Sequence, residues 1–195
     1  MTDIYAGYPQ EITVRSEKYP IDTDYRLMMN FELCVQKNNK RGIAEIIVKF
    51  YRGNVPDDIN DAVRGMINFY LCGEQHDNKN TGDNSRRRCY DFGEDWKYIS
   101  AAFRQQYGAD LVRSDMHWYE FSALFSGLTD ETEFVKIMQY RCTDLKKIKN
   151  KEEKNRIRRL QQRYALSENR VKHYASAAER DAAMINDLKN KLLRK

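Results

Sequence analysis

Only three prolines and nine glycines punctuate the 195 residues. Few breakers leave long segments free to form helices, so the chain is expected to be mainly helical. Long apolar runs are missing too. The most apolar window, Ile43 to Tyr51, carries Glu45 and Lys49 and is far too short to span a bilayer. The opening MTDIYAGYPQ has neither a basic n-region nor an apolar h-region, so no secretory signal and a cytoplasmic location are expected. Cysteine is scarce: Cys34, Cys72, Cys89 and Cys142 include no CxxC pair, and His76, His117 and His173 are scattered. Metal binding and cofactors are therefore not expected, and free thiols are. A zinc ion, if one bound, would draw on Cys72, His76 and Cys89. The patterns GxxxxGK[ST], GxGxxG, GxSxG and HExxH do not occur, which removes the commonest signatures of phosphate cradling, hydrolysis and metalloproteolysis.

What the chain does have is aromatics, placed at helical spacing. They crowd Tyr90 to Leu145, which contains both tryptophans, Trp96 and Trp118. Charge is uneven. From Asp144 to Lys195 there are sixteen Lys or Arg against seven Asp or Glu, a local balance of +9, which leaves about −4 for the rest of a +5 chain. A basic tail of this kind can bind phosphate backbones. Its simpler reading is a solvated helix face, because Lys, Arg and Glu are ordinary helix formers.

The pattern predicts an all-α protein: a helical bundle with a short irregular N-terminal arm and a basic C-terminal helix. Residues 1–73 read as an N-terminal helical half. Within it, 1–20 form the arm, with a possible short strand at Glu11 to Val14. Asp22 or Thr23 offers a cap for a helix carrying Tyr25, Met28, Met29, Phe31 and Leu33. A second helix is expected over Ile43 to Tyr51. A third follows Asp57 or Asp58, with Ile59, Val63, Met66, Ile67 and Tyr70 on one stripe and Gly73 at its end. Residues 74–88 contain no apolar side chain in EQHDNKNTGDNSRRR and read as a polar linker.

Residues 89–166 form the aromatic helical core. Helices are expected over Asp91 to Gln106 and Met116 to Ser126, with another capped by Thr129. Trp96, Phe103, Trp118, Phe121, Leu124 and Phe134 should pack together. Chemistry is hard to find there. Glu94 and Asp95 suit a helix dipole. His117 could act as a base but more simply packs or hydrogen-bonds. Arg141 and Asp144 suit an intrahelical pair, and Arg86, Arg87 and Arg88 would keep the linker solvated. No catalytic residues are assigned, and a non-enzymatic protein is expected.

Residues 167–195 read as a basic C-terminal helix capped by Ser167. Val171, Tyr174, Ala178, Ile185, Leu188 and Leu192 make an apolar seam, interrupted by Asp181. This seam is the candidate partner-binding surface. It could be covered by a second copy, by the protein's own body or by another protein. Like charges disfavour self-pairing, so a heterologous partner or fold-back is favoured.

A family resemblance rests on an ordered set of motifs. They are Tyr19-Pro20-Ile21 and Asp24-Tyr25-Arg26, then Tyr90-Asp91-Phe92, Asp95, Ile99-Ser100-Ala101-Ala102-Phe103 and Tyr107-Gly108-Ala109-Asp110-Leu111. His117-Trp118, Phe121, Leu124, Gly127-Leu128, Tyr140-Arg141, Asp144-Leu145 and Tyr164-Ala165-Leu166 complete it. Across residues 19–166 the chain resembles the gene-product-fifteen family of tailed bacteriophages. Tyr119 departs from the pattern, standing where a second tryptophan is common. The resemblance implies a phage or prophage protein of tail morphogenesis, encoded beside the tape-measure protein, in the cytoplasm of the bacterial host. A tail-assembly chaperone for the tape-measure protein, or for other tail proteins, is the function implied. Alternatives are a nucleic-acid-binding protein using the basic tail, ranked lower, and a structural virion component. The aromatic half would then offer a groove to an amphipathic helix. A homo-oligomer is possible and membrane association is not expected.

Overall fold

The computed structural model describes residues 7–73 and 88–167. The chain divides into two compact units, Met1–Tyr164 and Ala165–Lys195, and the description concerns the first. Most of the 74–88 linker, and the helix and seam expected beyond Ser167, lie outside the described residues.

The all-α expectation fits the bulk of the fold, and the first element adds a small sheet to it. An antiparallel hairpin, β1 (Glu11–Val14) with β2 (Glu17–Pro20), occupies the segment expected to be irregular. Only the first strand was legible. Arg15-Ser16 is not a favoured hairpin dipeptide, and Arg15 must adopt φ 57 to make the turn. Arg15 is held there by ion pairs to Asp58, at 2.6 Å, and to Asp61. The hairpin thus rides on the start of the third helix.

Seven helices follow among the described residues: α1 (Tyr25–Gln36), α2 (Lys40–Phe50), α3 (Ile59–Tyr70), α4 (Trp96–Tyr107), α5 (Trp118–Ser126), α6 (Glu133–Cys142) and α7 (Lys151–Arg163). Caps set their starts. Asp24, rather than Asp22 or Thr23, caps α1 and accepts the amide of Arg26; Asp22 instead accepts the amide of Asp24. Asn39 starts α2 three residues before Ile43. Asp58 caps α3 by accepting two amides. α4 begins at Trp96, later than expected, because the Asp91 carboxylate accepts the amides of Gly93 and Glu94 and holds them in a turn. Thr132, not Thr129, caps α6. The charged helix α7 was not foreseen, although Asn150 capping Glu152 and Glu153 is an ordinary start signal.

One hydrophobic core runs through both sides of 74–87. It joins Tyr25, Met28, Phe50 and Phe69 to Phe103, Phe121 and Phe134. α1 packs on α2 and α5, α2 on α3, α3 on β1, α4 on α6, and α6 on α7. α1 and α5 are launched together. Tyr25 N–H donates to Met116 O and Trp118 N–H to Thr23 O, an isolated bridge that pairs Asp24 with His117 across segments far apart in sequence. Tyr25 then stacks on Phe121 with centroids 4.7 Å apart. Buried aromatic polar groups all find acceptors: Tyr25 Oη on Leu111 O, Tyr51 Oη on Ala62 O, and Trp118 Nε1 on Tyr70 O. Trp96 and Leu124 are half-buried at the margin, whereas Phe103, Trp118, Phe121 and Phe134 are inside.

Candidate functional site

The first candidate for chemistry is His117. It caps α5: Nδ1 accepts the amide of Tyr119 at 3.0 Å, so the proton sits on Nε2, which donates to Pro9 O at 2.9 Å. Tyr8 stacks on its ring. Burial holds its pKa below the ordinary histidine value. Both nitrogens are spent on structure, which leaves none for a substrate.

The acidic pair at 94–95 does something the sequence hid. Asp95 makes no side-chain cap bond. It is 1% exposed and faces Arg141, itself 7% exposed. Two N–H···O bonds join them, at 2.5 and 2.9 Å. Arg141 also donates to Tyr164 O and Cys89 O, and Asp95 accepts the amide of Asp91. The Arg141–Asp144 pair expected from i,i+3 spacing does not form; Asp144 turns to the amide of Lys146. The spacing was compatible with either partner, and burial decided for Asp95, since a bidentate pair satisfies a planar guanidinium inside. Arg88 likewise is half-buried and paired with Asp91 at 2.5 Å rather than solvated. Beside this network Cys89 and Cys142 form a disulfide, with Cα atoms 5.6 Å apart across 53 residues. That corrects the expectation of free thiols at Cys89 and Cys142, while Cys34 and Cys72 form no disulfide, and it removes Cys89 as a zinc ligand; His76 lies outside the described residues. Sequence spacing carried no sign of the pair, because the fold alone brings the start of the 88–95 segment against the end of α6.

A half-buried carboxylate, Glu32, accepts from Tyr70 Oη at 2.7 Å and from Gln36 Nε2 at 2.8 Å, with Tyr90 as a further hydroxyl donor. Burial raises its pKa, and burial together with the Glu32 charge raises those of Tyr70 and Tyr90. No nucleophile or base is aimed at open space in either cluster. Among the described residues no group of three His, Cys, Asp or Glu is placed to hold a metal, and no helix is long and apolar enough to cross a membrane.

Trp118 and Phe121, expected in the core, are there, so neither lines a groove. Trp118 is 5% exposed and Phe121 1%. What reaches the surface instead is one flank of α3. Its buried side is Ala62, Met66 and Phe69, so the stripe read from the sequence is rotated outward: Ile59 is 55% exposed, Ile67 40%, and Val63 lies half-buried between them. Val35 on α1 and Val48 on α2 are exposed as well. The seam residues Val171, Tyr174, Ala178, Ile185, Leu188 and Leu192 lie outside the described residues.

The motif residues quoted above now have places. Asp91, Asp95, Arg141 and Tyr164 are the buried polar network, and Tyr25, Leu111, His117, Trp118 and Phe121 are the α1–α5 junction. The family model described as Bacteriophage Gp15 protein matches residues 8–166. The chain belongs to this bacteriophage Gp15 family. No curated protein and no solved structure matches it. In this Gp15 protein these signature residues hold the fold.

Proposed function

We propose that this Gp15-family protein is a non-enzymatic accessory protein of phage tail assembly, acting in the host cytoplasm as a chaperone for the tape-measure protein. Family membership over residues 8–166 is the observation that carries the reading. A helical body whose inward-facing ionisable groups, Asp95, Arg141, Glu32 and His117, are committed to structure supports it. So does the apolar flank of α3, where Ile59, Val63 and Ile67 sit four residues apart. A partner helix laying its own apolar face there would bury them, the helix-in-groove mode of recognition. The test is co-expression with the tape-measure protein encoded in the same phage. The tape-measure chain should move from the pellet to the supernatant and co-purify with this protein. Ile59→Asp with Ile67→Asp should abolish that rescue while leaving the thermal transition within a few degrees, because both side chains already face water. A tape-measure protein that is equally insoluble with and without this chain would refute the reading.

A further inference from the structure

The surface of α7 carries a dense, exposed concentration of positive charge. The segment 146–163 contains nine Lys or Arg and two Glu, a net +7 in 18 residues. Its anchored side is well defined. Ile157 is buried, Gln161 Nε2 donates to Tyr140 O at 2.9 Å and Thr143 O at 2.7 Å, and Tyr164 O accepts from Arg141. These contacts fix the rotation of the helix on α6. The opposite side therefore presents Lys151, Arg158, Arg159 and Arg163 to solvent, with Lys146, Lys147 and Lys149 exposed in the turn that leads in. Among the described residues the cations of α7 make one ion pair, Arg156 with Glu153. The concentration of positive charge is thus left largely without counter-charge.

The same face shows which partner fits. Between its cations lie Asn155, Gln162 and one carboxylate, Glu152 near the N-terminal end, and no apolar side chain. A protein partner draws its affinity from desolvated apolar anchors, with charged residues depleted at the centre and placed at the rim. Nothing here could serve as such an anchor. A phosphate backbone needs none, since its affinity comes from Lys and Arg displacing condensed counterions. Asn and Gln donors are also common at phosphates. We propose that α7 is a sequence-independent nucleic-acid-binding face that grips phosphates through Lys151, Arg158, Arg159 and Arg163. It is separate from the apolar flank of α3 and does not rest on the tape-measure reading.

Fluorescence anisotropy of the full chain with a labelled 20-base-pair duplex of arbitrary sequence tests this. Binding should be micromolar or tighter at 50 mM KCl. With about three phosphates contacted, the log–log salt slope should be near −2.7, so affinity should drop roughly forty-fold between 50 and 200 mM. Arg158→Gln, Arg159→Gln and Arg163→Gln together should weaken binding at least ten-fold and flatten the slope by about two. Removing the same charge elsewhere, with Arg41→Gln, Arg52→Gln and Arg113→Gln, should weaken it much less. The proposal is overturned if the wild type does not bind at 50 mM, or if binding is insensitive to salt. It is overturned equally if the α7 triple variant binds like the wild type, or if both triple variants lose affinity alike.

Discussion

At the scale of single residues, titratable groups in this protein serve the fold. His117 shows it most simply, because its neutral form is required: Nδ1 must keep a lone pair for the amide of Tyr119 while Nε2 keeps a proton for Pro9 O. Its pKa in the folded state is depressed from 6.5 by burial. A depressed pKa means the unfolded chain binds the proton more readily. The stabilisation is therefore complete above pH 6.5 and is lost as pH falls towards the folded value. His117→Asn retains an acceptor for the cap but cannot titrate. Melting curves between pH 7.5 and 5 should show the wild type losing stability relative to His117→Asn; parallel curves would mean that His117 is not the titrating group. Arg141 is the other decisive residue. Arg141→Met would leave Asp95 ionised and buried without its partner, and denaturant unfolding should register a loss of about 3–5 kcal/mol. The packing role of His117 was legible, being the simpler expectation for a histidine on an aromatic helix. The Asp95–Arg141 pair was not, because the two lie 46 residues apart and a nearer carboxylate, Asp144, matched helical spacing.

At the scale of elements, the helices were legible from their apolar periods and caps, and their boundaries moved wherever two capping residues competed. Asp24 displaced Asp22, whose carboxylate accepts the Asp24 amide, and Thr132 displaced Thr129, whose hydroxyl donates to Gln106 Oε1 instead. The face of α3 was misread for a different reason. Ile59, Val63, Met66, Ile67 and Tyr70 fit one stripe, but Gly65 lets Tyr51, Ile12 and Val14 press close to the helix and so selects its inner side. A Cβ at Gly65 would lie 2.8 Å from Tyr51 Oη, and Tyr51 is fully buried and bonded to Ala62 O. Gly→Ala inside a helix ordinarily stabilises by roughly 0.5–1 kcal/mol. Gly65→Ala should instead lower the midpoint of thermal unfolding. A higher midpoint would show that the hairpin and Tyr51 can shift away at little cost.

At the scale of the whole molecule, the aromatic stretch is the centre of one core shared by both sides of 74–87, and its consumption in packing moves the search for a partner surface outward. Among the described residues two faces stand out, chemically distinct and borne by different helices: the apolar flank of α3 and the cationic side of α7. The first could not be recognised from periodicity, since an apolar stripe looks the same whether it meets the core or a partner. The second was visible as a charge imbalance, but its one-sidedness follows only from Ile157 and Gln161 docking on α6. A chaperone for the tape-measure protein must act before the tail tube closes and then leave. Quantitative mass spectrometry of tail-assembly intermediates and of purified mature particles from the same infection measures this directly. The tail-assembly reading predicts this chain bound to the tape-measure protein in the intermediates and missing from mature particles. Its retention in mature particles at a fixed stoichiometry would contradict that reading and make it a structural component of the tail.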